Sequence, residues 1–257
     1  MKISKIILYD EPTVPQIQLK KLERIITDTF PVKTEIRKNF FAQHDQTIYE
    51  KIASCRIFDL KKPFKTHLPS TYETQMEIQN KDMSNKKEMI LYDGFELQKV
   101  IKEFIPVDEN QDDIFQIIFT NKLTCTFDEG DYRYHARTWI GPNPVIISTT
   151  GMIEAPAKPK KYYLDLMTNF NEEKTEEIKE KYKGVFLDYN DSRISEISEG
   201  YVLQSIMYYE TGDTFCEDKE CRLYNAHWQK ELIHSQVENK KFCSKHQIKF
   251  KELTSQV

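Results

Sequence analysis

Three of the five cysteines in this 257-residue chain lie near its end: Cys216 and Cys221 enclose four residues, and after a further 21 comes Cys243-Ser-Lys-His246. A tail with few apolar residues must still be held against the body. In a chain expected to be cytosolic, two close pairs of soft ligands point to a bound Zn²⁺ more than to a disulfide. Four ligands at ~2.0–2.3 Å in a tetrahedron would close two short chelate loops and one longer loop, the closed shell of a structural site. Cys216, Cys221, Cys243 and His246 are therefore the expected ligands of a structural Zn²⁺. The alternative is three reduced cysteines beside a solvent-exposed histidine. Cys55 and Cys125 stand alone in apolar surroundings and read as small buried thiols.

The chain ahead of this cluster alternates strand and helix patterns. Ile3–Tyr9 is an Ile-rich run that stops before Pro12, Ile17–Phe30 carries apolar residues at helical spacing, and Val32–Arg37 alternates. This β-α-β order implies parallel strands in one sheet. Further helices are expected at Ile48–Cys55 and Phe95–Phe104, and a strand at Met89–Tyr92. Asp59–Lys87 has little periodicity and reads as an insertion or loop. Asp113–Thr120 predicts the central strand, Leu123–Phe127 and Tyr132–Trp139 a hairpin, and Val145–Ser148 a further strand. Ala155–Pro159 is an extended linker. Beyond it the spacing is helical at Tyr162–Phe170, Glu173–Lys183, Arg193–Gly212 and Ala226–Gln236, with Asp191 or Ser192 as a cap for the third of these. The fold class expected is α/β (α+β): one mixed twisted sheet with crossover helices, a helical C-terminal half and a zinc-bound tail. A single domain is expected, with a β-rich half over 1–158 and a helical half over 159–257.

Charge excludes some partners. The 37 Lys+Arg against 41 Asp+Glu give −4, so no global positive field favours nucleic acid or an anionic membrane. No run reaches the ~18–20 apolar residues of a membrane helix, and the N-terminal apolar stretch is too short for a signal peptide, so a cytoplasmic location is expected. Oligomeric state is not legible.

The segment Ser205-Ile-Met-Tyr-Tyr-Glu-Thr-Gly-Asp-Thr-Phe-Cys216-x4-Cys221, with the later Phe242-Cys243-Ser-Lys-His246, resembles the archaemetzincins. These zinc peptidases carry H-E-x-x-H-x-x-G-x-x-H-C-x4-C and end in Phe-Cys-x-x-Cys. Gly212, Cys216 and Cys221 keep the frame, and His246 stands for the last Cys. The resemblance runs from about Ser192 to Phe250 and implies a metzincin-like body with cysteine-bound zinc. It does not carry catalysis across. The three catalytic-histidine positions are Ser205, Tyr209 and Phe215, the general-base position is Ile206, and Leu223 stands where the family's methionine turn has Met. A hydrolytic zinc needs three ligands, an open fourth position and a nearby carboxylate, and none of these four residue types supplies them.

Two other constellations compete. His227, Glu231 and His234 would share one face of a helix over Ala226–Gln236 and could form a relocated hydrolytic site, alone or with His135. The plainer reading is a solvated face. On a strand, Arg133, His135 and Arg137 would share one face opposite Tyr132, Tyr134 and Ala136, either as an anion-binding surface or as a polar sheet face. No Walker pattern, dinucleotide fingerprint or nucleophile elbow is present. The expected function is thus a degenerate peptidase that binds a peptide or protein segment along an edge strand. The rivals are a zinc-dependent hydrolase with a relocated site and a structural assembly subunit.

Overall fold

The computed structural model describes residues 1–79, 89–169 and 171–255. β1 (Lys5–Tyr9), α1 (Leu19–Thr29) and β2 (Lys33–Arg37) form the expected unit, with β1 and β2 parallel from Lys5↔Lys33 to Tyr9↔Arg37. A continuous apolar run suits a strand covered on both faces, and Ile6, Ile7 and Leu8 are each fully buried. β4 (Ile114–Thr120) lies parallel on the other side of β1, followed by β8 (Val145–Ser148) and the antiparallel edge strand β7 (Trp139–Ile140), in the order β2-β1-β4-β8-β7.

Period-two alternation divides the side chains of this sheet between two cores. Ile6, Leu8, Phe115, Ile117, Phe119 and Ile147 point to the face covered by α1 and α8 (Ile194–Thr211). Ile7, Tyr9, Ile118 and Ile146 meet the opposite face with α2 (Gln46–Ser54) and α4 (Gly94–Phe104).

The expected single sheet is two sheets. β5 (Leu123–Asp128) and β6 (Arg133–Arg137) form the hairpin, but they join β3 (Leu91–Asp93) in a separate three-stranded sheet, order β3-β5-β6. The run expected as one strand over Tyr132–Trp139 divides at Thr138. Arg137 pairs with Thr124 in one sheet, and Trp139 with Ile147 in the other. Alternation reports an extended chain, not which neighbour it pairs with, so this change of partner leaves no mark in the pattern.

Asp59–Lys87 is likewise not a plain loop. α3 (Thr71–Gln79) begins at a reciprocal cap, in which Ser70 N donates to Glu73 Oε2 at 2.7 Å and Glu73 N to Ser70 Oγ at 3.3 Å. It is anchored by Glu77, 2% exposed, which accepts from Arg56 at 2.6 Å, Lys122 at 2.6 Å and the Tyr92 hydroxyl at 2.7 Å. Residues 80–87 of that stretch lie outside the described residues.

The C-terminal half is helical, with α5 (Thr149–Glu154), α6 (Lys160–Met167), α7 (Glu172–Lys181), α8, α9 (Gln229–Ile233) and α10 (Ser244–Thr254). Phe170, expected to end a helix, lies outside the described residues. Neither Asp191 nor Ser192 caps α8. Arg193 holds the cap position, and Asp191 instead accepts from the Arg193 backbone and guanidinium. No described helix is long and apolar enough to cross a membrane.

The helix expected over Ala226–Gln236 begins later and changes form. Ala157 bridges to Trp228, with Ala157 N donating to His227 O and Gln229 N to Ala157 O, so the chain is extended at 227–228. α9 follows, and His234–Asn239 winds into a π-helical turn.

Candidate metal centre

Gly212 ends α8 in the left-handed region, φ +76°, its N–H donating to Tyr208 O at 2.8 Å. A residue without a Cβ takes this conformation at least cost, and it turns the chain back towards the helix it has left. Cys216 then enters a tight loop closed by a parallel bridge to Tyr224. Its N–H donates to Leu223 O at 2.7 Å, Asn225 N donates to Cys216 O at 3.0 Å, and Cys221 N donates to Asp218 O within the loop. Arg222 N ties this loop to Lys241 O at 2.6 Å, bringing the two distant cysteine segments together. Cys243 is the N-terminal flanking residue of α10 and His246 lies in its first turn. Their i, i+3 spacing points both side chains to one face.

The four expected ligands therefore converge, with one donor atom of each within 4.8 Å of all the others. Cys216 Sγ lies 3.8 Å from Cys243 Sγ, and His246 Nδ1 lies 3.5 Å from Cys221 Sγ and 3.2 Å from Cys243 Sγ. Ligands at ~2.0–2.3 Å around one ion stand about 3.3–3.8 Å apart along the edges of a tetrahedron. The donor set and its spacing fit a tetrahedral soft-metal site.

Electrostatics point the same way. Burial pushes the Cys221 thiol up to about 12, raises Cys216, and holds the His246 imidazole below its ordinary 6.5, favouring the neutral ring. Cys243 is less buried; burial still pushes its pKa upward, but backbone donors, the His246 N–H foremost, and the other two thiols bring it below its ordinary 9.0. Backbone N–H groups also point at sulfur, from Asp218 to Cys216 and from Cys243 to Cys221, each at 3.4 Å. The buried Cys216 and Cys221 favour the neutral thiol in the absence of a cation, and metal binding would expel the thiol protons. Behind the ring, Asp213 Oδ2 lies 3.5 Å from His246 Nε2 and is itself held by Lys249 at 2.5 Å and Lys245 at 3.2 Å. The Lys249 contact keeps the Asp213 carboxyl below its ordinary 3.8.

An apolar shell of Met207, Leu223, Phe242, Phe250 and Leu253 surrounds the cluster. Phe250 lies tilted against Phe242 with ring centroids 4.8 Å apart and meets Phe30 edge-on at 5.5 Å, joining the tail to the main core.

The positions where the resemblance would place a hydrolytic site lie on α8 and just beyond it. Ser205 is fully buried, donates to Tyr201 O at 2.6 Å and accepts the Trp139 indole N–H at 2.9 Å. Ile206 is a core residue at 0% exposure. The Tyr209 hydroxyl donates to Asp112 O at 2.6 Å, and its ring lies over Phe115. Phe215 and Tyr208 both meet the Trp139 ring edge-on, at 5.8 and 5.2 Å. Gly141 makes room for that indole, since a Cβ there would lie 2.3 Å from Trp139 ring carbon. Trp139 was missed in the sequence. It ends a run that reads as an ordinary strand, and only the fold sets it against α8.

His227, Glu231 and His234 do not form a metal-ligand group among the described residues, where only the Cys3His cluster and the exposed Asp128 and Asp131 with the half-buried His135 meet that geometry. The chain is extended at His227, whose backbone N–H donates to Glu231 Oε2 at 3.2 Å. Glu231 also pairs with Lys219, and the ring nitrogens of His234 face Glu220 and Glu238. His135 contacts Asp131 at 2.9 Å. Cys55 and Cys125 are buried as expected, each thiol pushed up to about 12 by burial.

No curated protein and no solved structure matches the chain. The sequence pattern of one family, described as a "Probable metallopeptidase family" (DUF6775), matches residues 2–253. With nearly its whole length inside that pattern and a convergent Cys3His cluster at its end, the chain belongs to this metallopeptidase family.

Proposed function

We propose that this member of a metallopeptidase family is a non-hydrolytic, peptide-binding protein with an archaemetzincin-like frame, in which Cys216, Cys221, Cys243 and His246 hold one structural zinc ion. The observation that carries the reading is Trp139: its indole is bonded to Ser205 and wedged against Tyr208 and Phe215. Aromatic bulk fills the place where three imidazoles would have to meet. Zinc in the tail would act as a cross-link, fastening α10 and the Cys216 loop to the end of α8.

What remains for binding is the groove beside β7. It measures about 180 Å³ and is lined in part by Arg137, Thr138, Trp139, Tyr201, Phe215 and His227. β7 pairs with β8 on one side and is the outer strand of its sheet, so its other side can accept an extended segment by strand addition.

Incubating the purified chain with unfolded casein, with and without added zinc, tests the reading. No cleavage is expected in either case. Cleavage abolished by 1,10-phenanthroline at a concentration that leaves the fold intact would refute it.

A further inference from the structure

Arginines in this chain are generally matched by acids. Arg37, Arg56, Arg133, Arg193 and Arg222 each close on a carboxylate, at 2.5, 2.6, 2.7, 2.6 and 2.8 Å. Arg24 on α1, an exposed residue, and Arg137 at the end of β6 make no ion pair among the described residues. Arg24 loses nothing, because water solvates it. Arg137 is half-buried and faces the groove beside β7.

Its guanidinium is also held in place, since Nε donates to Thr126 Oγ1 at 2.8 Å on the neighbouring strand β5. The other donors of the fork have no recorded acceptor among the described residues. No Asp or Glu lines the groove, and His135, which lies on the same strand and also lines it, is engaged by Asp131 at 2.9 Å. A partly desolvated guanidinium without a counter-charge is costly, and a planar fork matches a carboxylate in bidentate geometry.

We infer that the groove beside β7 recognises an acidic side chain on an extended peptide, with Arg137 gripping its carboxylate while Trp139, Tyr201 and Phe215 pack against its methylenes. This rests on the peptide-binding reading above and specifies its ligand. The side chain of a running segment is favoured over a chain terminus because the outer edge of β7 offers backbone pairing on the same side of the site.

The test uses a Trp228→Phe background, which leaves Trp139 as the sole tryptophan of the two in the chain and places the fluorophore in the groove. Three probes are titrated: acetyl-Val-Thr-Glu-Val-Thr-amide, its Gln counterpart, and the Gln peptide with a free C-terminal carboxylate. The Glu peptide should bind about tenfold more tightly than the Gln peptide, as a charge-assisted pair at a partly buried site warrants. Arg137→Met should abolish the preference, and Arg137→Lys, which keeps the charge without the fork, should retain part of it. Equal binding of the Glu and Gln peptides, or a preference that survives Arg137→Met in protein with unchanged circular dichroism, would overturn the inference and leave peptide binding standing. Tight binding of the free-carboxylate probe alone would overturn the side-chain assignment. No fluorescence response to any probe would overturn both readings.

Discussion

The indole N–H of Trp139 donates to Ser205 Oγ at 2.9 Å, joining the outermost strand of the main sheet to the fully buried middle of α8. The Ser205 hydroxyl in turn donates a hydrogen bond to Tyr201 O, so both polar groups are satisfied away from water. Ser205→Ala should leave the indole N–H unpaired and destabilise the protein by about 1–3 kcal/mol. Denaturant unfolding followed by tryptophan fluorescence measures it, and an unchanged midpoint would show that this bond does not hold the centre closed.

Asp213 stands behind His246 as an outer partner of the ring. Removing such a partner typically weakens metal binding 10- to 100-fold. Asp213→Ala should show a loss of that size in chelator competition while still folding in excess zinc. An unchanged affinity would mean that Asp213 serves only Lys245 and Lys249.

The ion cluster around Glu77 holds α3. Glu77→Ala would leave Lys122 buried without a counter-charge and Arg56 with only the longer 3.8 Å contact to Glu73, and should cost about 3–5 kcal/mol. Burial alone would raise the Glu77 carboxyl, but Lys122 and Arg56 draw it below its ordinary 4.5. A folded value below the unfolded one gives stability that is complete above about pH 4.5 and is lost as pH falls through the lower folded value. Limited proteolysis should therefore open α3 increasingly as pH falls below about 4.5 and not at neutrality, and resistance that does not change on acidification would contradict this account.

Legibility in the sequence followed the range of the interactions. The parallel β1–α1–β2 unit, the central place of β4 and the Cys216/Cys221/Cys243/His246 cluster were readable because each rests on local periodicity or ligand spacing. The division into two sheets was not, because Thr138 marks a change of partner within one extended run. α3 was missed although Ser70-Thr-Tyr-Glu73 is a capping box, since its apolar spacing is weak and its anchor is a buried carboxylate. His227 was expected on a helix face, but its pairing with Ala157, 70 residues earlier in the chain, keeps it extended. Trp139 carried no signal until the fold set it against Ser205.

The shortest route to the central claim is elemental mass spectrometry on the purified chain. The account predicts about one zinc per chain, retained in His227→Ala/His234→Ala protein and lost in Cys221→Ser protein, whose segment after Gly212 should then become sensitive to protease. A metal content near zero, or about two zinc ions with one removed by the His227 and His234 substitutions, would contradict it.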